Sequence, residues 1–242
     1  MGKTVSITDI GRKRKLNQDY VFISDIPVGK LSNLYLVADG MGGHNAGGFA
    51  SRYAVETIVD EISGSREEEA FAILYEAIEE ANRRVIEKAA EDESMSGMGT
   101  TLVAATVSGD LLKVANVGDS RLYLVGEGIR QVTTDHSLVE EMVRMGGIDR
   151  EQARNHPDKN IITRAIGAQS EIKPDFFEVK LMPGDRIFMC TDGVSNMLTD
   201  DEIFHILQEF EEEEEQIRQI VEAANEQGGR DNMGVILITP DI

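Results

Sequence analysis

The chain has 242 residues and carries 44 Asp plus Glu against 24 Lys plus Arg, a formal net charge of −20. Such a surface repels nucleic-acid phosphates and anionic lipid, so neither nucleic acid nor membrane is expected as a partner. It suits a protein that gathers cations at a focused carboxylate site. A single cysteine, Cys190, excludes a disulfide framework and a cysteine zinc cluster, and the four histidines form no HExxH. No apolar run nears the roughly 20 residues that span a bilayer, and the N-terminal residues lack the apolar core of a signal peptide, which points to the cytoplasm.

The first strand-like run is 34–38. Two apolar stripes at helical spacing follow: Ala50, Tyr53, Ala54, Thr57 and Ile58, then Phe71, Leu74, Ile78, Ala81 and Val85. Runs 102–107 and 111–117, separated by Ser108-Gly109-Asp110, read as a hairpin, and 121–125 as a further strand. The stretch 133–170 is polar, with short helical hints and His156-Pro157 inside it, and is expected to form a surface flap over or beside the site. A strand at 186–191 comes next. The acidic run 211–215 then precedes a third stripe, Ile217, Ile220, Val221 and Ala224, before a last strand at 235–238. Negative charge there complements a helix N-terminus, a structural reading preferred to a docking surface. No linker or repeat divides residues 1–242, so one catalytic domain is expected. Helices in pairs and strands in meandering groups favour an α+β fold of sheets packed against helices over a doubly wound parallel sheet.

Four aspartates share one local design. Asp39 follows the run 34–38 and precedes Gly40; Asp192 follows 187–191 and precedes Gly193; Asp119 follows Gly118; Asp231 follows Gly228-Gly229-Arg230. Any one Asp-Gly is ordinarily a plain turn. Four at strand ends can point into one cleft, and two carboxylates about 5 Å apart in an effective dielectric near 20 repel by roughly 3 kcal/mol. A cluster of them takes up cations or protons. Oxygen ligands with no sulfur beside them point to Mg²⁺ or Mn²⁺.

Around these residues lie seven short motifs. Gly11-Arg12-Lys13-Arg14-Lys15-Leu16-Asn17-Gln18-Asp19 has the form G-x-x-R-x-x-N-x-D, and Asp39-Gly40-Met41-Gly42-Gly43 the form D-G-x-G-G. Gly99-Thr100-Thr101, Gly118-Asp119-Ser120-Arg121, Thr163-Arg164-Ala165-Ile166-Gly167, Thr191-Asp192-Gly193 and Arg230-Asp231-Asn232 follow. In this order, from Gly11 to about residue 238, the chain resembles the bacterial, single-domain branch of the protein phosphatase 2C family. The resemblance implies a four-layer α-β-β-α sandwich, two central antiparallel sheets flanked by helices.

It also implies a function: metal-dependent hydrolysis of phosphoserine and phosphothreonine in proteins by direct attack of a metal-bridging hydroxide. Asp39 would bridge two Mn²⁺ or Mg²⁺ ions, with the Gly40 carbonyl as a further ligand and Asp192 and Asp231 completing the first metal. Asp119 with Asp192 would hold a weaker third ion, Asp19 would act through metal-bound water, and Arg14 would grip the substrate phosphate with its planar fork of donors. The partners implied are phosphoproteins made by a serine/threonine kinase, and a monomer is expected. The eukaryotic branch places a histidine two residues after the metal-binding aspartate; here Met41 stands there, and His44 is the nearest candidate general acid. Other phosphatase chemistries fit less well. A cysteine nucleophile at Cys190 would want an arginine six residues on, where Asn196 stands, no D-x-D pair follows an early strand, and Phe49-Ala50 occupies the place of a P-loop's Lys and Ser/Thr. A phosphohydrolase of small phosphoesters and a non-catalytic phosphatase-like regulatory module are the alternatives.

Overall fold

The computed structural model describes residues 2–43 and 45–242. The chain opens with β1 (Lys3–Asp9), β2 (Asp19–Ser24) and β3 (Leu34–Met41), then two long helices, α1 (Ala46–Gly64) and α2 (Ala70–Glu91). After the short β4 (Gly99–Thr100) come β5 (Leu102–Ser108), β6 (Leu111–Val117), β7 (Arg121–Val125) and β8 (Ile129–Gln131). Two short helices, α3 (Leu138–Arg144) and α4 (Arg150–Arg154), interrupt the segment 133–170. The last third holds β9 (Asp175–Lys180), β10 (Arg186–Cys190), the one-turn α5 (Asp192–Ser195), α6 (Asp200–Glu209), α7 (Glu213–Glu226) and β11 (Met233–Thr239).

The strands form two antiparallel sheets, ordered β1-β11-β10-β7-β8 and β2-β3-β5-β6-β9, with β4 paired to β3. Period-2 alternation decides what each face buries. On β3, Leu34, Leu36 and Ala38 face α1 and α2, while Tyr35 and Val37 face the other sheet. On β10 and β11, Phe188, Cys190, Val235 and Leu237 pack under α6 and α7, while Ile187, Met189, Ile236 and Ile238 fill the space between the sheets. Both faces of each sheet are thus covered, which is why the central strands read as continuous apolar runs rather than alternating ones. The result is the expected four-layer α-β-β-α sandwich. No helix among the described residues is long and apolar enough to cross a membrane.

The helical stripes correspond to α1, α2 and α7. Ala46, Ala50 and Ala54 let α1 lie close on the first sheet's partner layer, and the Glu69 carboxylate caps α2 by accepting from the backbone N–H groups of Phe71 and Ala72. The structure adds a long helix the stripes omit, α6. Its reciprocal cap, Thr199 with Glu202, is a start signal in the sequence, but only Ile203 and Leu207 on it are fully buried. Strands β1, β2 and β9 are also additional. All three are sheet edges with half-buried, polar-interrupted patterns, so their pairing rather than their composition makes them strands. The acidic run opens α7, with Glu213, Glu214 and Glu215 in its first turn and the Lys3 ammonium donating to Glu213 (2.8 Å) and Glu214 (2.9 Å).

Candidate metal centre

Alternation along the strands carries carboxylates to one end of the gap between the sheets. Val21 and Val37 face that gap, so Asp19 and Asp39, each two residues away, face it as well, and the two are register partners across β2 and β3. Asp39 lies inside β3 rather than in a turn after it, because the strand runs on to Met41 through pairing of Gly40 with Thr100. Thr101 anchors it on both sides: the Asp39 N–H donates to Thr101 Oγ1 (3.0 Å), and the Thr101 N–H donates to the Asp39 carbonyl (2.9 Å). A Cβ on Gly40 would collide with the Gly47 carbonyl, so only glycine lets α1 start so close behind this strand. Asp192 opens α5 directly after β10, and a Cβ on Gly193 would collide with the Asn232 carbonyl, so the loops carrying Asp192 and Asp231 pack against each other. Asp119 sits in the turn between β6 and β7 and is buried.

A cavity of about 280 Å³ collects Arg14, Asp39, Gly40, Asp119, Asp192 and Asp231 on its wall. Asp19 lies behind that wall, buried, its Oδ2 accepting from the Thr191 hydroxyl at 2.7 Å. A second, larger cavity of about 400 Å³ shares Asp119 and Asp192 and is lined on its other side by Arg150, Arg154 and Lys159. The segment 133–170 therefore stands beside the carboxylates. His44 lies outside the described residues.

Burial is the first cause of the electrostatics here, and mutual repulsion follows. Burial raises the Asp19 carboxyl to about 8, opposed by the Thr191 hydrogen bond and reinforced by the charges of Asp192 and Asp231. Burial with the neighbouring Asp231 charge raises Asp192 to about 6, and burial with the surrounding aspartates holds Asp39 and Asp119 well above the usual carboxylate range. Two buried oxygens, Asp19 Oδ1 and Asp192 Oδ1, receive no N–H or O–H donor. Orphaned, desolvated anionic oxygens of this kind call for a proton or a cation. Asp231 is the exception: its Oδ2 accepts from Arg14 Nη2 at 2.6 Å and its Oδ1 from the Asn232 N–H at 2.9 Å.

The donor set fits hard divalent cations: carboxylate oxygens, a backbone carbonyl at Gly40, no thiolate, and two buried carboxylate oxygens without a donor. The aspartates are nonetheless not drawn into a finished shell. Among the described residues the three acidic side chains with ligand atoms all within 4.8 Å of one another are Glu212, Glu213 and Glu214, on the surface. Loading a cation at Asp231 requires its Oδ2 to exchange Arg14 for the ion. The supporting donors Thr191, Thr101, Asn232 and Asn196, whose amide reaches Asp192 Oδ2 at 2.9 Å, are not singled out as donors by the sequence, although the first three lie within quoted motifs and Asn196 lies three residues beyond one.

Carboxylates collected at one end of a helix-covered antiparallel double sheet fit a metal-dependent hydrolase. The chain belongs to the protein phosphatase 2C family, whose model matches residues 11–233. It is 38% identical over 240 residues to the serine/threonine phosphatase stp of Listeria monocytogenes, spanning 97% of this chain and 94% of that one. Among solved structures, the Streptococcus agalactiae serine/threonine phosphatase superposes with a TM-score of 0.92 at 34% identity, each chain covered in full. The catalytic domain of the serine/threonine protein phosphatase PstP, solved in complex with two manganese ions, superposes at 0.86 with 30% identity, covering 98% of this chain and 97% of that one.

Proposed function

We propose that this chain is a phosphoprotein phosphatase that hydrolyses phosphoserine and phosphothreonine with divalent cations held by Asp39, the Gly40 carbonyl, Asp192 and Asp231. The observation that carries the reading is the pair of buried oxygens without a donor, on Asp19 and Asp192, at a cavity where Asp39, Asp119, Asp192 and Asp231 meet Arg14. Asp39, the Gly40 carbonyl, Asp192 and Asp231 would hold two Mn²⁺ or Mg²⁺ ions and Asp119 with Asp192 a weaker third, which when bound would supply an activated water and charge neutralisation at the phosphoryl oxygens. The chain's own residues do the rest. Thr191 and Asn196 fix the orientation of Asp19 and Asp192. Asp19, behind the cavity wall, orders water rather than touching substrate. Arg14, half-exposed at the rim, turns its fork from Asp231 to the phosphate, where two parallel N–H donors match tetrahedral oxygens. The departing serine or threonine oxygen needs a proton, and His44 is the donor proposed for it.

In this reading residues 1–242 form one catalytic domain in which 133–170 is a flap beside the carboxylates, lining the second cavity through Arg150, Arg154 and Lys159. Phosphoserine and phosphothreonine proteins are made by ATP-dependent kinases, so the reading sets this chain opposite a serine/threonine kinase; a cytoplasmic monomer is proposed with it. The test is hydrolysis of a phosphothreonine peptide and of small phosphate esters by the metal-stripped protein, with Mn²⁺, with Mg²⁺ and with excess EDTA. Turnover of the peptide that needs added cation is the expected result. Full activity in EDTA sinks the cation reading, and turnover of small esters alone sinks the protein substrate.

A further inference from the structure

His136 is buried at 4% exposure beside the carboxylate end of the sandwich, and the proposed chemistry gives it no part. It is bonded twice to the residue that precedes Asp119. The His136 N–H donates to the Gly118 carbonyl at 2.9 Å, and the Gly118 N–H donates to His136 Nδ1 at 3.1 Å. With Nδ1 accepting, the neutral ring carries its proton on Nε2, and Asp175 Oδ2 lies 3.1 Å from that nitrogen. Arg164 Nη1 approaches the same nitrogen at 3.2 Å but has its own acceptors, Asp175 Oδ1 at 2.8 Å and the Lys173 carbonyl at 3.1 Å. Burial lowers the basicity of the ring, in keeping with a neutral acceptor at Nδ1.

The same histidine closes the root of the segment 133–170. Its carbonyl accepts from the Thr163 N–H at 2.8 Å, Ser137 and Ile162 form a β-bridge beside it, and the Asn116 amide reaches the Thr134 carbonyl at 2.9 Å. Both ends of the segment therefore meet at one residue, and that residue grips the turn bearing Asp119. A fixed imidazole oriented by a carboxylate is a common device for aiming a ligand-bearing group.

We propose that His136 is a positioning residue: through Nδ1 it holds the Gly118–Asp119 turn so that Asp119 can take the weakest cation, while its carbonyl anchors the root of 133–170 against the same turn. The proposal rests on the reading of Asp119 as a cation ligand. Because the imidazole acts on a turn and not on the Asp39, Asp192 and Asp231 cluster, it bears on the weak site and leaves the tight pair alone.

The experiment is calorimetric titration of the metal-stripped protein with Mn²⁺, comparing wild type with Asp119→Ala, His136→Gln, His136→Asn and Asp175→Ala, each checked for a native circular-dichroism spectrum. Asparagine places a carbonyl acceptor near the position of Nδ1, whereas glutamine extends to the position of Nε2 and leaves the Gly118 N–H without a partner. The weakest class of Mn²⁺ site is expected to lose about 10-fold or more in affinity in Asp119→Ala and His136→Gln, with the tight class unchanged and His136→Asn restored to within about 3-fold of wild type. Wild-type weak binding in His136→Gln, alongside a weakened Asp119→Ala, overturns the proposal alone, as does a His136→Asn variant as weak as His136→Gln. An unchanged Asp119→Ala overturns the Asp119 reading and this proposal with it. If His136→Gln does not fold, Asp175→Ala decides. It leaves the backbone grip intact but removes the acceptor that orients the ring, and unchanged weak binding there overturns the proposal.

Discussion

Two regions concentrate negative charge, and they behave in opposite ways. At the start of α7, Glu212, Glu213 and Glu214 lie close enough to share an ion, yet they stand at the surface around the Lys3 ammonium, whose hydrogen bonds hold Glu213 and Glu214 below the usual carboxylate range. Between the sheets the aspartates are less tightly gathered. Burial lifts Asp19, Asp39, Asp119 and Asp192 above that range, and the neighbouring guanidinium groups are engaged elsewhere, Arg14 with Asp231 and Arg121 with Asp135. Spacing of carboxylates therefore does not mark the site. Desolvation does, because an exposed trio is screened by water while a buried one must find a proton or a cation.

The largest effect that can break this comparison is at Asp39. Asp39→Asn should lower kcat by at least about 10³-fold, since the several kcal/mol a bound cation gives the transition state correspond to about that factor. In excess EDTA the same variant should melt higher than wild type, because a buried charge has been removed. A lower melting temperature in EDTA would mean the carboxylate is a structural asset without metal, and the contrast with the surface trio would fail.

Arg14→Ala comes next. Hydrogen bonds to charged groups are worth about 1.5–3 kcal/mol, so KM for a phosphopeptide should rise about 10- to 100-fold while bound metal is kept. Since Arg14 and a cation compete for Asp231 Oδ2 in this geometry, Mn²⁺ affinity measured without substrate should not fall. A weakened Mn²⁺ titration would show that Arg14 supports the metal rather than the phosphate.

The pH dependence sharpens the comparison from the side of stability. Asp19 and Asp192 bind their protons more tightly when folded, pushed up to about 8 and about 6 from the ordinary aspartate value of 3.8 that the unfolded chain keeps. Between pH 4 and 8 the native state thus holds more protons than the unfolded state, and stability falls as pH rises. Asp39 and Asp119 act in the same direction, and His136, lowered by burial, is a single group that opposes them. The lowered surface glutamates work the other way, at the acid end of this window. Melting temperature in EDTA should accordingly drop from pH 5 to 8, and saturating Mn²⁺ should flatten the slope, because the ion replaces the protons. A slope that is the same with and without Mn²⁺ would separate the titration from the cation site.

The smallest effect belongs to the surface. Glu213→Gln with Glu214→Gln should leave kcat and KM unchanged and move the melting temperature by no more than about 2 °C, as exposed ion pairs do. A loss of Mn²⁺-dependent activity in this double variant would make the exposed trio functional after all.

Much of this was legible in the chain. The stripes at 50–58, 71–85 and 217–224 announced α1, α2 and α7, and the aspartates beside glycines, with the order of the motifs around them, named the family and the residues now found around one cavity. The edge strands were not legible. Strand β2 carries Asp19, and its register opposite Asp39 depends on hydrogen bonds to β3 that no local pattern of 19–24 announces. Likewise α6 hides its apolar face in two fully buried positions, and His136 reads as one histidine in a polar stretch until the Gly118 backbone is seen against it.

By itself the sequence determined the fold class, the oxygen character of the ligand set and the candidates for metal and phosphate contacts, because periodicity, residue chemistry and short-range spacing are local properties that survive in one dimension. Only the tertiary structure decided which carboxylates are desolvated, that Asp19 stands behind the cavity and Asp231 is held by Arg14, and that one histidine joins the Asp119 turn to the root of 133–170. Those outcomes depend on pairings between residues as far apart as Arg14 and Asp231, and on which side of a strand faces the other sheet, quantities that exist only once the two sheets have closed on each other.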